Sequence, residues 1–324
     1  MAAVSSMQRL RGHGVALSLC AAVLYCGREC QKRDFSTHKP LCKRTKQARD
    51  LIAREEMALR EAEPDMFLPE NVFETSVGHF WGIHETRPYM RAKFELIRTT
   101  GAMWTHTATS TALAESLDYL RLCRGDNMGV RDVVPAFMLL LGQRQQCYDF
   151  IKWWAMCDPD GTYDWGDLDL PYLSIRDAGM TESIDAFEDA VFHVAALTYI
   201  KMTLAREVAD AISAHAVADQ AALPAPVGGG AFLRPSGQEG ERSLGELKTL
   251  QAELERQAEA AFRLTHRLNA HYWKAVLDPM PLVTEPDPCV YSPGDRFETK
   301  LWLLPNARLW TGHWDSSTRT CDGS

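Results

Sequence analysis

Between Pro88 and Cys157 apolar residues recur at helical spacing, and the periodic runs are separated by turn signals only a few residues long. Connections this short reverse the chain and leave successive helices little choice but to pack side by side. "RPYMRAKFELIRTTG" carries proline near its start and Gly101 as its expected C-terminal stop. "TSTALAESLDYLRLCRGDN" has hydroxyl capping residues, Leu113, Leu117 and Leu120 on one face, and a Gly-Asp-Asn turn. "RDVVPAFMLLLG" follows, with Asp132 as the expected cap, Pro135 in the first turn and Gly142 closing it. In "QQCYDFIKWWAMC" the residues Cys147, Phe150, Ile151 and Trp154 share a helical face.

Two longer helices are predicted after these, from about Ser183 to Ala216 and from about Ser243 to Val276. "AALPAPVGGGAFLRPSGQEGE" between them has the composition of a flexible linker. Upstream, "KRTKQARDLIAREEMALREAE" reads as a short helix stopped by Pro64, and residues 64–86 as a connector with aromatic anchors. The resulting plan is mainly α: a small N-terminal module at 1–44, helix and connector at 45–86, and a helical-hairpin, TPR-like domain at 87–220. A linker at 221–242 and a long helix with a proline-rich aromatic tail at 243–324 complete it. No fixed-period repeat marks a solenoid.

The net charge of −8 is unevenly distributed: residues 1–50 hold ten Lys or Arg against three Asp or Glu, so the remainder carries −15. No basic and aromatic platform accompanies the basic head, which argues against nucleic acid. "GVALSLCAAVLY" after Arg9 and Arg11 imitates a secretory signal but runs into a cysteine cluster, and no apolar stretch is long enough to span a membrane. Nine cysteines, unevenly spaced, argue against a disulfide framework and for an intracellular protein of cytoplasm or nucleus. Cys123, Cys147 and Cys157 sit in apolar helical patterns as core thiols.

The remaining signal is Cys20-x5-Cys26-x3-Cys30-x7-His38-x3-Cys42. Thiolate and imidazole are the ligands zinc prefers in structural sites, and pairs three or four residues apart can face one ion. "YCGRECQKRDFSTHKPLCK" closely resembles the C-terminal half of a MYND-type zinc finger, a module with two zinc ions held by interleaved ligands. The resemblance implies Cys26 and Cys30 in the first site, and Cys20, His38 and Cys42 in the second. The opening Cys-x2-Cys of the pattern is absent, Leu17 stands where the partner of Cys20 belongs, and His13 is near enough to complete one site. An N-terminus differing from the authentic one would account for the missing half.

MYND fingers are protein-interaction modules, and several bind proline-containing peptides beside a conserved aromatic. The matching positions are Gln31 and Phe35, with Phe in place of the more usual Trp. Segments such as "RPYMRAKFELI", "CYDFIKWWA" and "YSPGD" resemble fungal MYND-finger proteins with a helical body. The resemblance thus implies a zinc-binding adaptor or scaffold whose partners are other proteins. The alternative is a metal-dependent hydrolase with an open site at Cys20, His38 and Cys42. No Ser/His/Asp arrangement, phosphate loop or SET-type methyltransferase motif is present.

"DPDGTYDWGDLDLPY" concentrates Asp158, Asp160, Asp164, Asp167 and Asp169, but its glycine falls too early for an EF-hand loop and no Glu closes it. These carboxylates are expected to cap turns, or to form a docking epitope around Asp-Trp-Gly-Asp. Trp153, Trp154 and Trp165 are expected as core or groove aromatics.

Overall fold

A computed structural model describes residues 16–17, 23–25, 27–103, 105–185, 187, 190–221, 242–287 and 290–311. The described chain is mainly helical. One short antiparallel pairing, β1 (Ala16–Leu17) with β2 (Leu24–Tyr25), sets Ala16 opposite Tyr25. The helices are α1 (Arg28–Glu61), α2 (Val72–Thr75), α3 (Arg87–Gly101), α4 (His106–Leu122), α5 (Val134–Leu140), α6 (Arg144–Met156), α7 (Val191–Ala221), α8 (Leu244–Leu268), α9 (Tyr272–Leu277), α10 (Met280–Val283), α11 (Arg296–Leu301) and α12 (Leu303–Thr311). They group into two compact units, one of residues 1–141, 164–170 and 304–324, the other of residues 142–163 and 171–303. The linker read at 221–242 lies, apart from its two end residues, outside the described residues.

In the first unit α3 packs against both α1 and α4. Met90, Ala92, Leu96 and Ile97 of α3 and Ala112, Leu113, Tyr119 and Leu120 of α4 form the core between them. Lys93 is buried here, with its ammonium 2.6 Å from Glu115 and 2.8 Å from Asp118. Burial alone would lower its pKa, but these two carboxylates outweigh burial and raise it. Before α3, Phe73 makes ring contacts with Phe80 and Tyr89, at 5.2 and 5.3 Å, so the connector does supply aromatic anchors.

Two local expectations are corrected. Gly101 ends α3 without a left-handed conformation. It is small because a Cβ there would meet the Phe137 ring at 2.7 Å. Asp132 does not cap α5, whose preceding residue Val133 makes no side-chain cap bond. The fully buried Asp126 organises that turn, accepting from the Val130 and Arg131 amides at 2.8 and 2.7 Å. Gly142, by contrast, has the left-handed φ of 73° that its closing role requires.

In the second unit α7 and α8 form a long hairpin, with α6 packed on α7. A capping box between Ser243 and Glu246 starts α8 as the sequence suggests. The helix predicted to run to Val276 breaks at Asn269 instead. Its amide donates to the Asp295 carbonyl and to Glu298, both at 2.8 Å, while its oxygen accepts from the His271 amide. Likewise α7 begins at Val191 rather than Ser183. Within the described part of the tail, α10, α11 and α12 are short helices.

Lys201 of α7 is fully buried and donates to the carbonyls of Met180 and Glu182 at 2.7 and 2.6 Å. Burial lowers its pKa from 10.5 to about 8, against the weaker opposing pull of Glu182 and Glu253. The unfolded chain therefore binds this proton more tightly, so the contribution of Lys201 to stability rises with pH above about 8, while the buried thiols of Cys123 and Cys147 contribute in the opposite sense. Urea unfolding should show wild type gaining about 2 kcal/mol relative to Lys201→Met between about pH 8 and about pH 10. In the first unit, Gly101→Ala should lower stability by about 1–2 kcal/mol through overpacking against Phe137, read from the urea midpoint.

Candidate metal centre

Three of the five sequence-derived ligands, Cys30, His38 and Cys42, lie on α1; Cys20 and Cys26 lie outside the described residues. The ligand-bearing stretch was expected to precede a helix that follows Cys42. It is itself helical, because α1 is continuous from Arg28 to Glu61 and runs through Pro40. Proline removes one donor and crowds the preceding turn, a cost of about 3 kcal/mol that packing of the flanking turns must offset.

Four-residue steps on a helix advance about 6 Å and drift about 40° around the axis. Cys30, Asp34, His38 and Cys42 therefore form one slowly winding stripe. Its buried end is Cys30, which clusters with Val23, Met103 and Ala108, with Leu41 and Cys42 packed against the group. Met103 and Ala108 flank the junction of α3 and α4, so the helical body of the first unit covers the finger helix. The face continues through the buried Thr45 and Ala48, and Arg44 reaches across to Glu95 of α3 at 2.6 Å.

Helix continuity decides which ligands can meet. Twelve residues separate Cys30 from Cys42, about 18 Å along the axis, whereas ligands of one zinc lie about 2 Å from the ion. Cys30 and Cys42 cannot share an ion. His38 and Cys42, one turn apart, can. Among the described residues no three His, Cys, Asp or Glu side chains are grouped to hold a metal ion, so any complete site draws on residues beyond them. The open hydrolytic site likewise depends on Cys20, outside the described residues.

Cys30 is disulfide-bonded, whereas Cys42 is a thiol. A disulfide sulfur cannot act as a thiolate ligand, so oxidation and metal binding exclude each other at Cys30. Cys123, Cys147 and Cys157 are also thiols. Burial raises the thiol pKa of Cys123 and Cys147, which makes both poor nucleophiles.

Gln31 and Phe35 occupy the helix face beside the stripe. The Phe35 ring is 55 % exposed, with the Lys39 ammonium 5.0 Å from its centroid. A flat apolar surface with a cation at one face is suited to stacking contacts. Asp34, buried one turn from both Cys30 and His38, was not singled out from sequence, although its four-residue spacing from each was visible.

The aspartate-rich loop is divided between the units. Asp158, in the second, accepts from the Tyr163 amide, and Asp164 and Asp167, in the first, accept from the Gly166 and Asp169 amides. These are turn-capping roles. Arg124 holds the Asp167 and Leu168 carbonyls at 3.0 and 3.2 Å, and His79 meets the Gly166 carbonyl at 2.8 Å. Trp153 is a core aromatic in contact with Trp154 and Tyr172, and Trp165 lies against Gly125.

The MYND finger family model matches residues 13–42. That interval holds all five sequence-derived ligands, Gln31, Phe35, β1, β2 and the first turns of α1. No curated protein and no solved structure matches the chain. The chain is thus mainly helical with an N-terminal MYND finger region, a zinc-binding module of the protein-interaction class.

Two thiols about 18 Å apart cannot lose one common ion, so metal loss at them is expected to be additive. Under reducing conditions, elemental analysis should show that Cys30→Ser and Cys42→Ser each remove part of the bound zinc and that the double variant removes the sum. Oxidised protein should resemble Cys30→Ser.

Proposed function

We propose that this chain is an adaptor or scaffold that binds other proteins through its MYND region, with the helical body as support. The observation that carries this reading is the family match at residues 13–42, over which α1 joins ligand positions to the packed core. Zinc is the cofactor of the proposal, divided between a site containing Cys26 and Cys30 and a site containing Cys20, His38 and Cys42. Neither set reaches four ligands, and His13, which begins the matched interval, is the residue available to extend one. The role is binding rather than catalysis, in a reducing intracellular compartment where thiolate ligands persist.

Phe35, exposed beside Gln31, is the proposed contact for a proline-containing partner segment. Pre-formed polyproline turns dock on aromatic surfaces at low entropic cost. The test is affinity capture with the full chain, zinc-loaded, in wild-type and Phe35→Ser forms. Loss of a defined subset of partners from the variant, with zinc content unchanged, is the expected result. An identical partner list would remove the finger from the binding role.

A further inference from the structure

The first unit carries an exposed apolar knob in an acidic setting. Between Pro64 and Pro69, Met66 and Phe67 are 87 % and 67 % exposed. They are not on a slack loop. Asp65 accepts from the amides of Phe67 and Leu68 at 2.7 and 2.8 Å, its own amide donates to the Leu68 carbonyl at 3.0 Å, and Leu68 is buried as an anchor. Glu61, Glu63, Asp65 and Glu70 surround the pair, and no Lys or Arg occurs from residue 61 through residue 86. Holding two large apolar side chains in water on a fixed turn lowers the entropy cost of docking them.

The second unit carries the complement. Phe262 of α8 stacks on Trp273 of α9 with ring centroids 4.6 Å apart, and the indole N–H donates to the Phe262 carbonyl at 3.1 Å. Phe262 is 46 % exposed and Leu277, one turn beyond Trp273, is 69 % exposed. The rim is basic: Arg267 and Lys274 are exposed, Arg263 is exposed and paired with Glu259 at 2.5 Å, and no Asp or Glu occurs from residue 260 through residue 277. The dipole of α8 accounts for cations in its last turn. It does not account for an aromatic ridge left in water between them.

We infer that the Phe262–Trp273–Leu277 ridge is a docking surface for the Pro64–Pro69 knob of a second copy of this chain. Each surface supplies what the other lacks: apolar area against apolar area, and an acidic rim against a basic one. An acidic membrane is a poorer match, because a chain of net charge −8 is repelled by an extended anionic plane, whereas a loop senses only charges within a Debye length of about 8 Å. Knob and ridge are different surfaces, so the pairing is heterologous, joining copies head-to-tail into a closed or an open assembly. The area is small, which makes the association weak and concentration-dependent.

The test uses sedimentation of the full chain from about 5 to about 300 µM, at roughly 50 mM and roughly 300 mM salt. Wild type should associate as concentration rises at low salt, and much less at high salt. Arg267→Glu with Lys274→Glu, and separately Glu63→Lys with Glu70→Lys, should each weaken association by about tenfold. None of these four side chains makes a hydrogen bond or ion pair among the described residues, so unfolding transitions should be unchanged. An equimolar mixture of the two charge-reversed chains should associate as wild type does, because each then carries the partner of the other. A monomer throughout at low salt would overturn the inference, as would unchanged association in either variant or no recovery on mixing. Binding of an unrelated acidic, apolar peptide without self-association would also overturn it.

Discussion

The unbroken course of α1 through Pro40 is the constraint on which the finger region depends. One helix carries Cys30, His38 and Cys42 at one end and, further along the same face, the buried Thr45 and Ala48 that sit against the body. Because a rigid rod fixes relative positions, the separation of Cys30 from Cys42 is not adjustable, and no single ion can take both. The free energy of holding zinc is then also free energy for holding the first turns of α1, since ligands on an unformed helix have no fixed spacing. Proline in mid-helix is tolerated because both flanking turns are secured, by the Cys30 cluster before it and by the α3 contacts after it.

Much of the fold was legible because its helices are amphipathic and its breaks are short. The hairpins around Ala112, Leu120, Phe137 and Ile151 follow from spacing alone. What escaped depended on distant partners. The break at Asn269 requires Asp295 and Glu298, more than twenty residues away, and nothing local marks it. Gly101 looks like a helix stop and is in fact a gap cut for Phe137. Asp126 and Asp132 are equally plausible caps in one dimension, and only burial separates them. In the finger region, the likeness to the MYND pattern was plain from residue type and spacing. The helical state of the ligand segment was not, because cysteine pairs suggest loops and proline argues against a helix.

The two buried lysines show how context divides one residue type. Lys93 faces two carboxylates, and the pairs more than offset its burial, so its charge is held. Lys201 donates to two carbonyls, and the more distant charges of Glu182 and Glu253 do not offset its burial, so its proton is correspondingly loose. The first arrangement ties α3 to α4. The second holds the turn at Met180–Glu182 to the long hairpin of the other unit, with a stability that responds to mildly alkaline pH.

Scaffolding asks for several modest contacts rather than one strong one. Phe35 on the finger helix offers a small stacking surface, and the knob and ridge offer another pair. A contact of a few hundred square ångström gives weak binding taken singly. When copies associate head-to-tail, each added copy brings another finger to the same partner, and linked weak contacts multiply through effective concentration. Binding strength in such an assembly need not come from one perfected module. It comes from repetition of an adequate one, which places the decisive chemistry in the charged rims that set whether copies meet at all.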